Sequence, residues 1–156
     1  MTTTDYMLGL SKAGVNTANT VMWQVRSPSG GRLTRVKRLG IFVEVAPTTA
    51  PQFVLARATA GGTSTTSTLG QVGNPTAPPA LTTVDSAWSS APTFTTAGPF
   101  LGKATLPITA GSGVYFDLED GIWMRANTAT DNLVIANAVA SGATLGSFGL
   151  HVIWDE

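Results

Sequence analysis

Short β-prone runs, each closed by glycine, proline, serine or threonine, follow one another along almost the whole chain. Turn signals recur roughly every 8–12 residues, the spacing of a β-sandwich. Nowhere do apolar residues recur at the three-and-four spacing of an amphipathic helix. The runs fall at 20–26, 33–45, 52–59, 100–106, 114–118, 122–126, 132–139 and 147–154, with a bend or bulge expected at Gly40. Val114, Phe116 and Leu118 alternate with Tyr115, Asp117 and Glu119, as in a strand buried on one face. Phe148, Leu150, Val152 and Trp154 do the same against His151, Ile153 and Asp155. Asp120-Gly121 predicts a tight hairpin before Ile122. The fold class expected is therefore all-β: an antiparallel β-sandwich of eight or nine short strands, jelly-roll-like rather than immunoglobulin-like.

A chain of 156 residues can bury about two-thirds of its unfolded surface, so one domain with its own core suffices. Residues 20–156 are assigned to the sandwich. Residues 1–19 show little apolar periodicity and are expected to form an extended arm or a flexible segment. Residues 60–99 are rich in Gly, Ser, Thr, Ala and Pro and read as a long excursion, anchored by Trp88 and Phe94. A structureless loop of that length would count against a compact domain, so edge strands or an ordered path are expected there.

Composition excludes several functional classes. Thr, Ala, Gly and Ser make up 72 of the 156 residues, and only 12% are charged. Helical bundles need more Glu, Lys and Leu than this, and disordered chains need more charge and less apolar content. Nine basic and nine acidic residues cancel, which argues against nucleic acid as a partner. No run of apolar residues is long enough to cross a membrane as a helix, and the first residues read neither as a signal peptide nor as a targeting helix. Charge is uneven along the chain: residues 1–60 hold seven basic and two acidic residues, and residues 61–156 hold two and seven. Such asymmetry suits a molecule that meets partners through opposite patches.

Candidate chemistry is sparse. His151 is the only histidine and no cysteine is present, so neither a usual zinc set nor a thiol nucleophile can form. No G-x-S-x-G elbow accompanies His151 for serine catalysis. Asp117, Glu119 and Asp120 form the most site-like cluster, but D-x-E-D-G falls short of a calcium loop. Glycosidase carboxylates face each other across a substrate, normally from different strands, and these share one strand. No phosphate-cradling loop or dinucleotide fingerprint exists. The expectation is a protein that is not an enzyme and uses no cofactor or metal. The contact candidates are the basic run Arg32, Arg35, Lys37 and Arg38, suited to an acidic partner surface, and Trp88, the one tryptophan outside a strand run. Trp23, Trp123 and Trp154 are expected in the core.

The segments RLTRVKRLGIFVEVAPTTAPQFVLARATAGGT (32–63), SAWSSAPTF (86–94), GVYFDLEDGI (113–122) and FGLHVIWDE (148–156) together resemble small β-sandwich structural proteins of tailed-phage virions. The resemblance covers residues 20–156 and lies in texture and order, with no diagnostic motif. It implies a capsid decoration or cement protein on the outside of the head, made in the host cytoplasm. The partners implied are the major capsid protein and other copies of the chain, as a homotrimer. A tail or head-fibre component touching the host surface is the structural alternative. A carbohydrate-binding β-sandwich module, with Trp88 as its platform, is the alternative of a different class.

Overall fold

A computed structural model describes residues 3–156 of the chain. Its strands are β1 (Asp5–Ala13), β2 (Thr20–Arg26), β3 (Thr34–Val45), β4 (Gln52–Ala60), β5 (Thr63–Leu69) and β6 (Gln71–Val72). They continue as β7 (Thr83–Ser90), β8 (Thr93–Phe94), β9 (Gly102–Thr105), β10 (Gly113–Met124), β11 (Leu133–Asn137) and β12 (Ser147–Asp155), with one 3-10 turn at Ala129–Asp131. Two antiparallel sheets face each other. The first has the order β10-β3-β12-β1-β6, and the second has β5-β7-β2-β11-β4-β8, with β9 also on β4.

The chain is a β-sandwich, and its connectivity explains why. Each link β1–β2–β3–β4 and β9–β10–β11–β12 crosses from one sheet to the other, so sequence neighbours lie in opposite layers. Eight strands, four per sheet, thereby form the jelly-roll frame: β1-β12-β3-β10 against β2-β11-β4-β9. The core lies between them, built from inward-facing residues of the frame strands, including Tyr6, Met22, Trp23, Leu39, Ile41, Phe53, Leu55, Ile135, Phe148 and Trp154, with Met22 and Trp23 both turned in at a bulge of β2. Phe53 and Phe148 meet edge-on across the gap, 5.2 Å between ring centroids. Each such side chain contributes about 1.5–3 kcal/mol of burial.

The amino-terminal segment departs from expectation. Residues 5–13 are not a free arm: β1 pairs with β12 along nine residues and lies inside the first sheet. Tyr6, Leu8 and Leu10 alternate inward, with Tyr6 fully buried and stacked on Trp154 at 6.1 Å. The period-2 signal was present but short, and polar neighbours at Asp5, Ser11 and Lys12 masked it. Residues 1 and 2 of the expected arm lie outside the described residues.

Residues 60–99 hold the other four strands. β5 and β7 extend the second sheet beyond β2 and are locked there by Asp85, which is fully buried. Its carboxylate accepts from Gln24 Nε2 (3.0 Å), Arg26 Nε (2.7 Å) and Ser67 Oγ (2.5 Å). β6 adds to the edge of the first sheet beside β1, and the last part of the excursion covers the outer face of the second sheet. Trp88, Phe94 and Phe100 pack there on a small cluster of Val21, Val54, Ala58, Val134 and Ala136.

The hairpin expected at Asp120-Gly121 is absent. β10 runs unbroken along β3 from Gly113 to Met124. Asp117 pairs with Arg38 and Ile122 with Val36, so residues 118–121 stand as a wide bulge opposite Lys37 alone. Gly121 takes the expected left-handed conformation (φ 71°), but it turns a bulge rather than a hairpin.

Candidate interaction surface

The outer face of the first sheet can be read from register as four rows. Asp5, Asp155, Arg35 and Trp123 form the first, and Met7, Ile153, Arg38 and Asp117 the second. Gly9, His151, Gly40 and Tyr115 form the third, and Ser11, Gly149, Phe42 and Gly113 the fourth. The intervening rows point into the core, as the pleat requires. Five of the eight positions in the last two rows are glycine or serine, which leaves room for the rings to lie over the backbone. A Cβ on Gly40 would stand 2.6 Å from Tyr115 Cε1 and 2.9 Å from Phe42 Cε2, so both rings reach across that glycine. Tyr115 meets Phe42 edge-on at 5.2 Å and His151 edge-on at 6.5 Å. The result is a low-relief aromatic surface, with Met7, Tyr115 and Trp123 each more than 40% exposed.

Its cations are paired within the sheet, while the Glu44 carboxylate accepts from the Ser11 and Ser147 hydroxyls. The cations come from β3 and their acids from β10, β12 and β1. Arg35 Nη2 donates to Asp155 Oδ2 (2.5 Å), and Lys37 Nζ lies 2.6 Å from Asp5 and 3.2 Å from Asp155. Arg38 Nε donates to Asp117 Oδ1 (2.6 Å). The hydrogen bond to Asp5 raises the Lys37 pKa, and the bond to Asp155 raises that of Arg35. Arg35 and Arg38 also lie over rings, 5.2 Å from the Trp123 centroid and 4.5 Å from that of Tyr115. Cations held in this way hold the rings in turn.

Of the contact residues expected from sequence, Arg35, Lys37 and Arg38 share this face, with Lys37 in the extra position of a bulge on β3. Arg32 lies past the end of β3, at the rim of a cleft. Trp88 is elsewhere and is no open platform: it is half-buried against the small outer cluster of the second sheet. Lys12 Nζ sits 4.6 Å from the Trp88 ring centroid and donates to the Ser86 carbonyl. Burial there lowers the Lys12 pKa.

Sequence reasoning placed Trp123 in the core, and the structure puts it outside, 48% exposed. The four residues of the bulge leave the alternation of β10 in phase, so Ile122 and Met124 turn inward as Val114 and Phe116 do, and Trp123 turns out with Tyr115 and Asp117. Tyr115 was legible from its alternation with Val114 and Phe116. Met7 was missed together with its strand. As for the carboxylates, Asp117 is tied to Arg38, and Glu119 and Asp120 are exposed in the bulge. No group of three metal-ligating side chains comes together among the described residues. No known protein family and no curated protein matches the chain.

Proposed function

We propose that this chain is a non-enzymatic virion structural protein, a capsid decoration or cement subunit of a tailed phage. It binds the outside of the head, bridges neighbouring major capsid protein subunits and acts as a homotrimer. The observation that carries this reading is the contrast between the two outer sheet faces. The chain covers the outer face of the second sheet with its own residues 88–100, while that of the first stays flat, aromatic and open. Exposed aromatic and methionine side chains are what protein interfaces concentrate. Because Arg35, Lys37 and Arg38 are already paired, burying this face strands none of these cations, and Glu44, bonded only to hydroxyls, is left for the partner to meet. A closed ring of copies would repeat the contact around each symmetry site and multiply a weak attachment.

Two measurements test it. Heads lacking the protein should lose integrity on heating and in low salt, and adding the purified chain back should restore it. Tyr115→Asp places an unpaired charge at the centre of the face without touching the core and should abolish co-sedimentation with heads. Heads that withstand both stresses equally well without the protein would sink the cementing role.

A further inference from the structure

We propose a saccharide-binding cleft at the end of the first sheet, which shares Trp123 with the edge of the assembly face but is argued from a different observation. The cleft measures about 760 Å³, within the range of small-molecule sites and large enough for a short oligosaccharide. Its lining includes Arg32, Leu33, Pro78, Trp123, Asp155 and Glu156.

Trp123 supplies the platform. Its indole is 48% exposed, and the Arg35 guanidinium lies over the ring at 5.2 Å. Arg35 is itself clamped on Asp155 through Nε and Nη2, so the indole is held before any ligand arrives. A platform ordered in advance loses little entropy on binding. Leu33, 54% exposed, and Pro78 extend the apolar surface that the C–H face of a pyranose would cover.

Hydroxyl recognition needs acceptors and a donor around that surface. Asp155 is almost wholly buried, and its Oδ2 takes a 2.5 Å bond from Arg35 Nη2 and contacts of 3.2 Å from Arg35 Nε and Lys37, while Oδ1 has a single contact of 3.3 Å. Glu156 divides its load in the same way. Oε1 accepts from the Leu81 and Thr82 amides and from Trp154 Nε1, whereas Oε2 accepts only from Leu81. Asp155 Oδ1 and Glu156 Oε2 thus keep free lone pairs at fixed positions. On the rim, the Arg32 side chain enters no hydrogen bond or ion pair with the described residues and can donate.

Charge selects the ligand class. Two carboxylates disfavour an anion, while Arg32 together with Arg35 and Lys37 disfavours a cation. A neutral ring with adjacent hydroxyls matches both the donor and the acceptors.

The test titrates the full chain with methyl glycosides and disaccharides of glucose, galactose, mannose and N-acetylglucosamine at millimolar concentration. The indole N–H resonances are followed by NMR. The expected result is a saturable shift of the Trp123 resonance by at least one sugar, with those of Trp23 and Trp88 unmoved. Trp123→Ala should weaken that sugar about tenfold or more, Trp123→Phe should retain part of the affinity, and Arg32→Ala should cost several-fold. Trp123 and Arg32 lie outside the core, so these variants should fold, as a native pattern of the remaining resonances will show. A panel that leaves the Trp123 resonance still, or an affinity unchanged in Trp123→Ala as read from saturation-transfer signals of the sugar itself, overturns the proposal. Because Trp123 lies on both surfaces, head binding is tested separately, by sedimentation of the Tyr115→Asp variant, which leaves the cleft lining unchanged.

Discussion

At Gly40 a missing methyl group lets the Tyr115 and Phe42 rings, edge-on to each other, reach across the sheet backbone. Gly40→Ala must lift both, and we expect a loss of about 1–2 kcal/mol in urea denaturation. Most of that loss should vanish in the Gly40→Ala/Tyr115→Ala double variant if the ring is the obstacle. Asp85 tests the opposite kind of site, a buried charge with three donors. Asp85→Ala leaves Gln24 and Arg26 without their acceptor and should cost about 2–4 kcal/mol, somewhat below a fully buried pair because Arg26 keeps 31% exposure. The sequence marked Gly40 only as a possible bend, since the ring it accommodates comes from a strand 75 residues away. Asp85 carried no local signal at all: its donors sit on β2 and β5, and only the fold brings them together. Trp88 and Trp123 exchanged roles. Exposure at Trp88 depends on what a distant segment covers, which local hydrophobicity does not report, whereas Trp123 follows the outward phase of Tyr115 and Asp117.

Among the elements, β1 shows how a short strand can hide in a polar sequence. It contributes Tyr6, Leu8 and Leu10 to the core and covers the full length of β12. Deleting residues 1–13 should therefore abolish the cooperative unfolding transition, measured by circular dichroism on heating. A free arm would be lost with no such effect. The frame strands of the carboxy-terminal third were legible because alternation and turn residues agree there. The 118–121 bulge was not, because Asp-Gly gives the same local signature for a hairpin and for a bulge. The 3-10 turn after β10 offers a check by pH. Arg125 donates to Asp131 through its side chain and its backbone amide, and these bonds hold the Asp131 carboxyl at about 2. A carboxyl depressed in the folded state stabilises above its unfolded value, about 3.9, and that contribution is lost as pH falls through the folded value. Arg125→Ala should return the Asp131 titration, followed by NMR, toward the ordinary carboxylate range. Arg125 is 71% exposed, so the cost at neutral pH should be small and vanish in acid.

On the scale of the whole molecule, the uneven charge of the sequence becomes internal pairing instead of two opposed patches. The basic first part and the acidic second part are interleaved by the jelly roll. Arg35 meets Asp155, Arg38 meets Asp117 and Arg26 meets Asp85, each pair joining one part of the chain to the other. What the sequence offered as complementary surfaces between molecules is thus largely spent within one. Association through the outer face of the first sheet should then rest on Met7, Tyr115, Phe42 and their neighbours, and salt should have little hold on it. Light scattering after size exclusion should give about 48 kDa, three chains of 16.1 kDa, with the same mass at low salt and well above physiological salt. Tyr115→Asp should shift the mass to that of one chain under both conditions. A trimer that dissociates as salt rises would mean that charges outside the paired set carry the contact. In that case Arg32 and Lys103, neither of which enters an ion pair among the described residues, would be the first cations to replace.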